Sequence, residues 1–278
     1  MSLPPSARRF DTKFGAELLA EVPREPGVYR FFDAAGEVVY VGKAKDLRRR
    51  LSQYRVARGR RGKKPRLVVA DAVELDWQTC ASELDAEITE VRLIQSLRPR
   101  HNVVSAYDFL YPYIGARAEG HEWRLCLTTR PELFPEYAFH GAYRSRETTA
   151  LAFFSLVRLM KHVAHVEPRA RVAAEASRDE HARIVALRRV PARIPSAWQE
   201  LFRGRSRDAV GDLALRLLEK TSARRRAKDV EEDLEAIGRF FDEEAAPLRA
   251  AIAATAFEVW PVPQRERDPL FLRWRAEA

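Results

Sequence analysis

The sequence predicts an α+β protein: a small three-stranded antiparallel sheet flanked by helices within the first hundred residues, followed by a mainly helical C-terminal region. Three observations predict it. Two short runs rich in β-branched and aromatic residues, Val28–Phe32 and Val38–Val41, stand either side of the turn-forming Asp33-Ala-Ala-Gly36. Apolar residues then recur at helical spacing, at Leu47, Leu51 and Tyr54, and again at Leu84, Ile88, Val91, Ile94 and Leu97. After Thr148 the helical period takes over, in Leu151–Val163, Asp208–Lys220 and Lys228–Ile252.

Taken in order, residues 1–22 read as a lead-in, and Pro23-Arg-Glu-Pro26 breaks the chain before the hairpin. Asp46 is placed to cap the helix that carries Arg48, Arg49 and Arg50. Arg58–Lys64 reads as a basic, glycine-containing loop, and Val73–Thr79 alternates loosely as a third strand. Ser82 with Asp85 forms a weak capping box for a helix that stops before Pro99. The region from Tyr107 to Arg144 is aromatic and Pro-bearing, with a strand-like piece at Trp123–Thr128. Pro191 to Pro195 reads as a break between helices, and the tail from Trp260 shows no clear period. The expected organisation is a lead-in (1–22), a small domain (23–104), a connector (105–170) and a helical region (171–278).

Composition narrows the function classes. The chain has 278 residues, 46% hydrophobic and 32% charged, enough for a packed core and unlike a disordered or collagen-like chain. The longest apolar run, Ala150–Val157, is far short of the ~18 residues a membrane span needs, and the N-terminus lacks the apolar core of a signal peptide. Two cysteines, Cys80 and Cys126, without CxxC spacing, fit a cytoplasmic, reducing home and argue against a Cys-ligated metal. Lys and Arg number 49 against 40 acids. Between Lys43 and Arg66 there are twelve Lys/Arg and one acid, Asp46. So dense a run repels itself unless it meets an anion, and nucleic-acid phosphate is the default partner.

Pro26-Gly-Val-Tyr29 followed by Tyr40-Val-Gly-Lys-Ala-Lys-Asp-Leu-Arg-Arg-Arg-Leu51 resembles the GIY-YIG nuclease module. More narrowly, it is similar to the version at the N-terminus of the UvrC excision-repair nuclease and its shorter relative Cho. Ser82-Glu-Leu-Asp-Ala-Glu-Ile-Thr-Glu90 and Arg98-Pro-Arg-His-Asn102 resemble the family's acidic helix and closing Pro-x-x-Asn element. The resemblance covers residues 23–104 and continues weakly through Phe109–Ile114 and His140–Ser145. Two departures stand out. The tyrosines lie eleven positions apart where ten are usual, which places an extra residue in the Asp33–Gly36 turn. His101 also stands where an aromatic Tyr usually precedes the Asn.

The resemblance implies a metal-dependent DNA endonuclease of nucleotide excision repair, cutting one strand 3′ to a lesion on double-stranded DNA loaded with UvrB, or with UvrA and UvrB together. The chain is too short for the second nuclease and helix-hairpin-helix tail of full-length UvrC, and Glu167–Ser177 has none of the cysteines of its iron–sulfur region, so no iron–sulfur cluster is expected. Glu243–Ile252 faintly resembles the hairpin by which UvrC contacts UvrB, with Pro247 and Ala250 departing. A monomer is expected. The alternatives are a structure-specific or mobile-element GIY-YIG nuclease acting without UvrB, and a nuclease-derived binding protein without catalysis.

The chemistry of the residues agrees with an enzyme. Phosphodiester hydrolysis needs an activated water, positive charge on the non-bridging oxygens and relief of charge on the leaving oxygen. Glu90 is the expected anchor of one divalent cation, Mg²⁺ or Mn²⁺, which takes one or two carboxylates and fills its shell with water and phosphate. Glu83, Asp85 and Glu87 lie on the same helix, but the family pattern selects Glu90. Arg50 is the expected phosphate clamp and shares a helix face with Tyr54. A free phenol titrates near pH ~10 and is a poor base without a nearby cation. Lys43 and the metal are placed to supply that field, and the resemblance implies that one of Tyr29 and Tyr40 activates the water; the sequence does not choose between them, and Tyr40 is favoured as the base with Tyr29 in support. Gly27 and Gly42 are expected to allow tight backbone beside the site, and Asn102 to order the end of the acidic helix. Lys45, Arg48, Arg49, Arg55, Arg58, Arg60, Arg61, Lys63 and Lys64 are the expected DNA contacts.

Overall fold

A computed structural model describes residues 9–57, 63–102 and 110–277. The chain divides into two compact units, one running to Phe109 together with Phe271–Ala278, the other Leu110–Leu270.

In the first unit the short helices α1 (Arg9–Phe14) and α2 (Leu18–Glu21) precede a sheet of order β2-β1-β3, all antiparallel. Its strands are β1 (Gly27–Phe32), β2 (Val38–Ala44) and β3 (Glu74–Thr79), so both the hairpin and the third strand form where the residue types put them. Phe31 pairs with Tyr40 and Phe32 with Val38, leaving Val39 as a bulge. The irregularity between the tyrosines thus lies in the ladder and not in the turn. Asp46 caps α3 (Leu47–Arg55) by accepting from Arg49 N at 2.7 Å. The basic loop ends sooner than its composition suggests, because Lys63 and Lys64 already belong to α4 (Lys63–Asp71). Ser82 caps α5 (Glu83–Leu97), accepting from Asp85 N at 3.0 Å. Leu97, expected on the buried face of α5, is 45% exposed; Ala86, Ile88 and Ile94 carry the burial.

Strand alternation puts Tyr29 and Phe31 on one face, with Tyr40 and Gly42 opposite them across the ladder. That face packs against Phe10, Leu19, Leu47, Leu51, Tyr54, Val68 and Val69 of α1–α4. Full burial of a leucine such as Leu47 or Leu51 stabilises by about 1.5–3 kcal/mol. α5 packs on β2 and β1. Beyond it, Asn102 clasps the backbone of β2: its side chain accepts from Val41 N and donates to Val41 O, both at 2.9 Å. His101 N adds a bond to Val39 O at 3.0 Å.

The second unit is mainly helical, as the sequence predicts, and it adds a sheet of which the sequence showed only one strand. It holds a five-stranded antiparallel sheet of order β6-β4-β5-β8-β7, made from β4 (Tyr113–Glu119), β5 (Glu122–Thr128), β6 (Ala138–His140), β7 (His165–Val166) and β8 (Arg183–Arg188). Only β5 was legible, because β4 carries the small residues Gly115, Ala116 and Ala118, which have little strand preference. The long helix Arg146–Val163 packs on Ala227–Phe240, and Asp233 is buried between them, accepting from Ser155 Oγ at 2.8 Å and Arg158 Nε at 3.0 Å. Pro195 sits in the first turn of a helix, Ile194–Phe202, where its missing N–H costs nothing. The tail, whose sequence shows no clear period, contains a helix, Gln264–Glu277, with Pro269 inside it; its charged, weakly periodic sequence hides it. In the segment with the UvrB-hairpin resemblance, Phe241–Ala245 forms a π-helical turn, and Glu244 is buried, accepting from Ser145 N at 3.0 Å. No helix among the described residues is long and apolar enough to cross a membrane.

Candidate active site

The hairpin and α3 bring three phenols together. Tyr29 is fully buried and Tyr54 and Tyr40 nearly so, with ring centroids 5.7 Å (Tyr29–Tyr54), 6.2 Å (Tyr29–Tyr40) and 6.4 Å (Tyr40–Tyr54) apart. The Tyr29 and Tyr54 hydroxyls share a hydrogen bond of 3.1 Å. Burial pushes both phenols above their ordinary range, since a phenolate there would be stripped of water. Arg50, on the face of α3 shared with Tyr54, donates from Nε to Tyr29 Oη at 3.1 Å and from Nη1 to Gln53 Oε1 at 2.8 Å. Its guanidinium also lies 5.7 Å from the Tyr54 ring centroid.

Two glycines make this packing possible. A Cβ at Gly42 would stand 2.4 Å from Tyr29 Oη, so the Tyr29 ring lies directly over the glycine across the ladder. A Cβ at Gly27 would stand 2.3 Å from Gln78 O. Both glycines are thus required by close approach and not by their backbone angles.

Glu90 reaches β2 from α5. Its Oε1 accepts from Lys43 N at 3.1 Å. Burial holds the Glu90 carboxyl above the usual carboxylate range, and nearby Glu87 pushes the same way, against the pull of Lys43 and Arg50. Lys43 Nζ is paired with Glu87, and Lys45 with Glu83, so the row Glu83, Glu87 and Glu90 on α5 faces the row Lys43 and Lys45 leaving β2. Tyr29, Tyr40, Tyr54 and Arg50 thus form one cluster over Gly42, and Lys43 and Glu90 meet at the next residue of β2, with the charge of Arg50 acting on the Glu90 carboxyl. Asn102 stands behind them, holding the segment after α5 to the same strand.

The expected DNA contacts divide. Lys45, Arg49 and Arg50 line a shallow groove with Ala44, Asp46 and Gln53. Lys64 Nζ stands 5.1 Å from the Tyr40 ring centroid, and Lys63 is exposed beside it. Arg48 is spent elsewhere, donating to Val22 O at 2.6 Å and Ala20 O at 2.9 Å. Arg55 pairs with Asp11 at 2.7 Å. Arg58, Arg60 and Arg61 lie outside the described residues. Sequence reasoning passed over Gln53 and gave Glu87 no role. Each sits three positions along a helix from a motif residue, the spacing that brings side chains together, and that was the available signal.

Residues 25–103 match the family model of the UvrC-like GIY-YIG domain. The chain carries a GIY-YIG domain of the UvrC type. Relatives agree with this. UvrABC system protein C of Histophilus somni (strain 2336) is 39% identical over 146 residues, which are 51% of this chain and 23% of that protein. UvrABC system protein C of Chlorobaculum tepidum is 44% identical over 99 residues, 36% of this chain and 16% of that protein. The chain thus matches about a quarter or less of the length of these curated relatives. Among solved structures, the GIY-YIG N-terminal endonuclease domain of UvrC from Thermotoga maritima, bound to its catalytic divalent cation, magnesium, is 32% identical. That match covers 35% of this chain and 99% of the other, with a TM-score of 0.29.

Proposed function

We propose that this protein is a divalent-cation-dependent DNA endonuclease of nucleotide excision repair, which makes a single-strand incision 3′ to a lesion on double-stranded DNA loaded with UvrB. The observation that carries the reading is the joining of Tyr29, Tyr54 and Arg50 by hydrogen bonds at the end of the same strand whose backbone holds Glu90.

The donor set fits one hard cation. Lys43 N uses one of the roughly four lone-pair positions of the Glu90 carboxylate and leaves the others for a metal. Among the described residues no three His, Cys, Asp or Glu side chains gather as a cage, and Mg²⁺ is commonly held by one or two carboxylates with water and substrate phosphate completing the shell. Glu90 is the residue that would hold it. When bound, such a cation neutralises charge on the non-bridging oxygens and acidifies a coordinated water.

The protein's own groups supply the rest. Arg50, fixed on one edge by Tyr29 and Gln53, offers its remaining N–H donors to the scissile phosphate. Tyr29 stays a neutral phenol because of its burial and orients Arg50. Tyr40 Oη is the group that takes the proton of the attacking water. The groove of Lys45, Arg49 and Gln53 receives the adjoining backbone of the strand. The test is a reconstituted incision on a lesion-bearing duplex with UvrA, UvrB and Mg²⁺, with the nick mapped to the nucleotide. One nick 3′ to the lesion, lost in Glu90→Gln, is expected. A nick that survives Glu90→Gln, or none from wild type, overturns the proposal.

A further inference from the structure

We infer that Glu87 sets the cation affinity of the Glu90 site by charge balance: it neutralises Lys43, whose ammonium would otherwise oppose a divalent cation. The inference rests on the reading of Glu90 as the cation anchor.

Two carboxylates of α5, three positions apart, engage the same residue of β2. Glu90 binds the backbone N–H of Lys43 and Glu87 binds its ammonium. The Lys43–Glu87 pair is little more than one-third exposed on either side, so water screens it only in part. Three charged side chains act on the Glu90 carboxylate, namely Glu87, Lys43 and Arg50. With Glu90 the four charges sum to zero, and the Lys45–Glu83 pair alongside adds none. Without Glu87 the sum is +1, and a dication arriving there meets twice the repulsion a monovalent ion would meet. Arg50 cannot leave the cluster, since Tyr29 and Gln53 hold it. Lys43 has a flexible stem, and Glu87 is what fixes its ammonium on the α5 side. Glu87 is on this view a positioning and charge-setting residue that need not touch the cation.

Charge balance predicts the sign of the change in cation affinity for four forms of the 278-residue chain. Mn²⁺ binding is measured directly by electron paramagnetic resonance of the free ion, at fixed ionic strength and without DNA. Glu87→Gln brings the sum to +1 and weakens binding about tenfold. Lys43→Met brings it to −1 and tightens binding by a similar factor. The double variant restores zero and binds within about threefold of wild type. Gln and Met keep the length of the side chains, and thermal melts of all four forms check folding. Glu87→Gln binding as tightly as wild type, or a double variant as weak as Glu87→Gln, overturns the inference; the latter result would make Glu87 a ligand. A wild type that does not bind Mn²⁺, or binds it equally with Glu90→Gln, instead overturns the reading on which the inference rests.

Discussion

The buried tyrosines of the two units make different uses of the same hydroxyl group. In the second unit each donates to a fixed acceptor: Tyr111 to Asp268 at 2.6 Å, Tyr113 to Val262 O at 2.8 Å, Tyr137 to Glu175 at 2.6 Å and Tyr143 to Phe202 O at 2.6 Å. In the first, Tyr29 and Tyr54 meet each other, and Tyr29 accepts from a cation that is itself a pure donor. A hydroxyl that donates to a carbonyl or carboxylate ties one part of the fold to another. One bonded to a second phenol and to a guanidinium instead fixes the position of a cationic side chain, Arg50, at the candidate site.

The comparison can be broken first at its strongest point. Tyr40→Phe and Glu90→Gln are each expected to lower single-turnover incision at least a hundredfold while leaving the melting temperature within a few degrees. A loss of stability in place of activity would place these residues with the tyrosines of the second unit. Gly42→Ala should damage both properties. The new methyl collides with the Tyr29 ring and costs about 1–3 kcal/mol by overpacking, and it dislodges the acceptor of Arg50 Nε, so incision falls with it. Urea unfolding beside the incision rate checks this, and an unchanged rate would show that Tyr29 need not hold its place.

Tyr143→Phe should show the opposite pattern. It strands a buried carbonyl, costs about 1–3 kcal/mol of stability, and leaves the incision rate per folded molecule unchanged.

The smallest effect concerns His140. Both of its ring nitrogens are buried and unpartnered, beside Phe202 and Trp260. Burial, with Arg203 adding repulsion, lowers its pKa to about 3. The unfolded chain, titrating near the ordinary 6.5, takes up the proton first. Stability therefore drains away as pH falls from about 6.5 towards 3 and is full above that window. His140→Phe should flatten that part of the stability curve and be neutral or slightly stabilising at pH 8; an unchanged acid slope would show that other groups carry it.

Much of the candidate site was readable from linear spacing because its proposed members sit at fixed places in regular elements. Tyr29 and Tyr40 lie on one hairpin, Arg50 and Tyr54 on one helix face, and Glu90 and Asn102 at set distances along α5 and its exit. What spacing cannot show is which charges find partners far away in the chain. Arg48 and Arg55 look like members of a basic run, yet one holds the carbonyls of Ala20 and Val22 and the other holds Asp11. The same blindness hid the pairing of Glu87 with Lys43. In the second unit the strands were obscured by small residues in β4 and by β6 and β7 of three and two residues, too short to show a period. The closing helix was obscured by the charges of Arg265, Glu266, Arg267 and Asp268 and by Pro269.

The central claim is that the phenols, Arg50 and Glu90 surround a single cation-binding position. The most direct measurement is nuclear magnetic resonance of tyrosine rings labelled at the hydroxyl-bearing carbon, recorded as Mn²⁺ is added. Broadening of the Tyr29, Tyr40 and Tyr54 signals at low Mn²⁺, abolished by Glu90→Gln, is the predicted result. Signals that stay sharp in the wild type, or that broaden just as readily in Glu90→Gln, would contradict it.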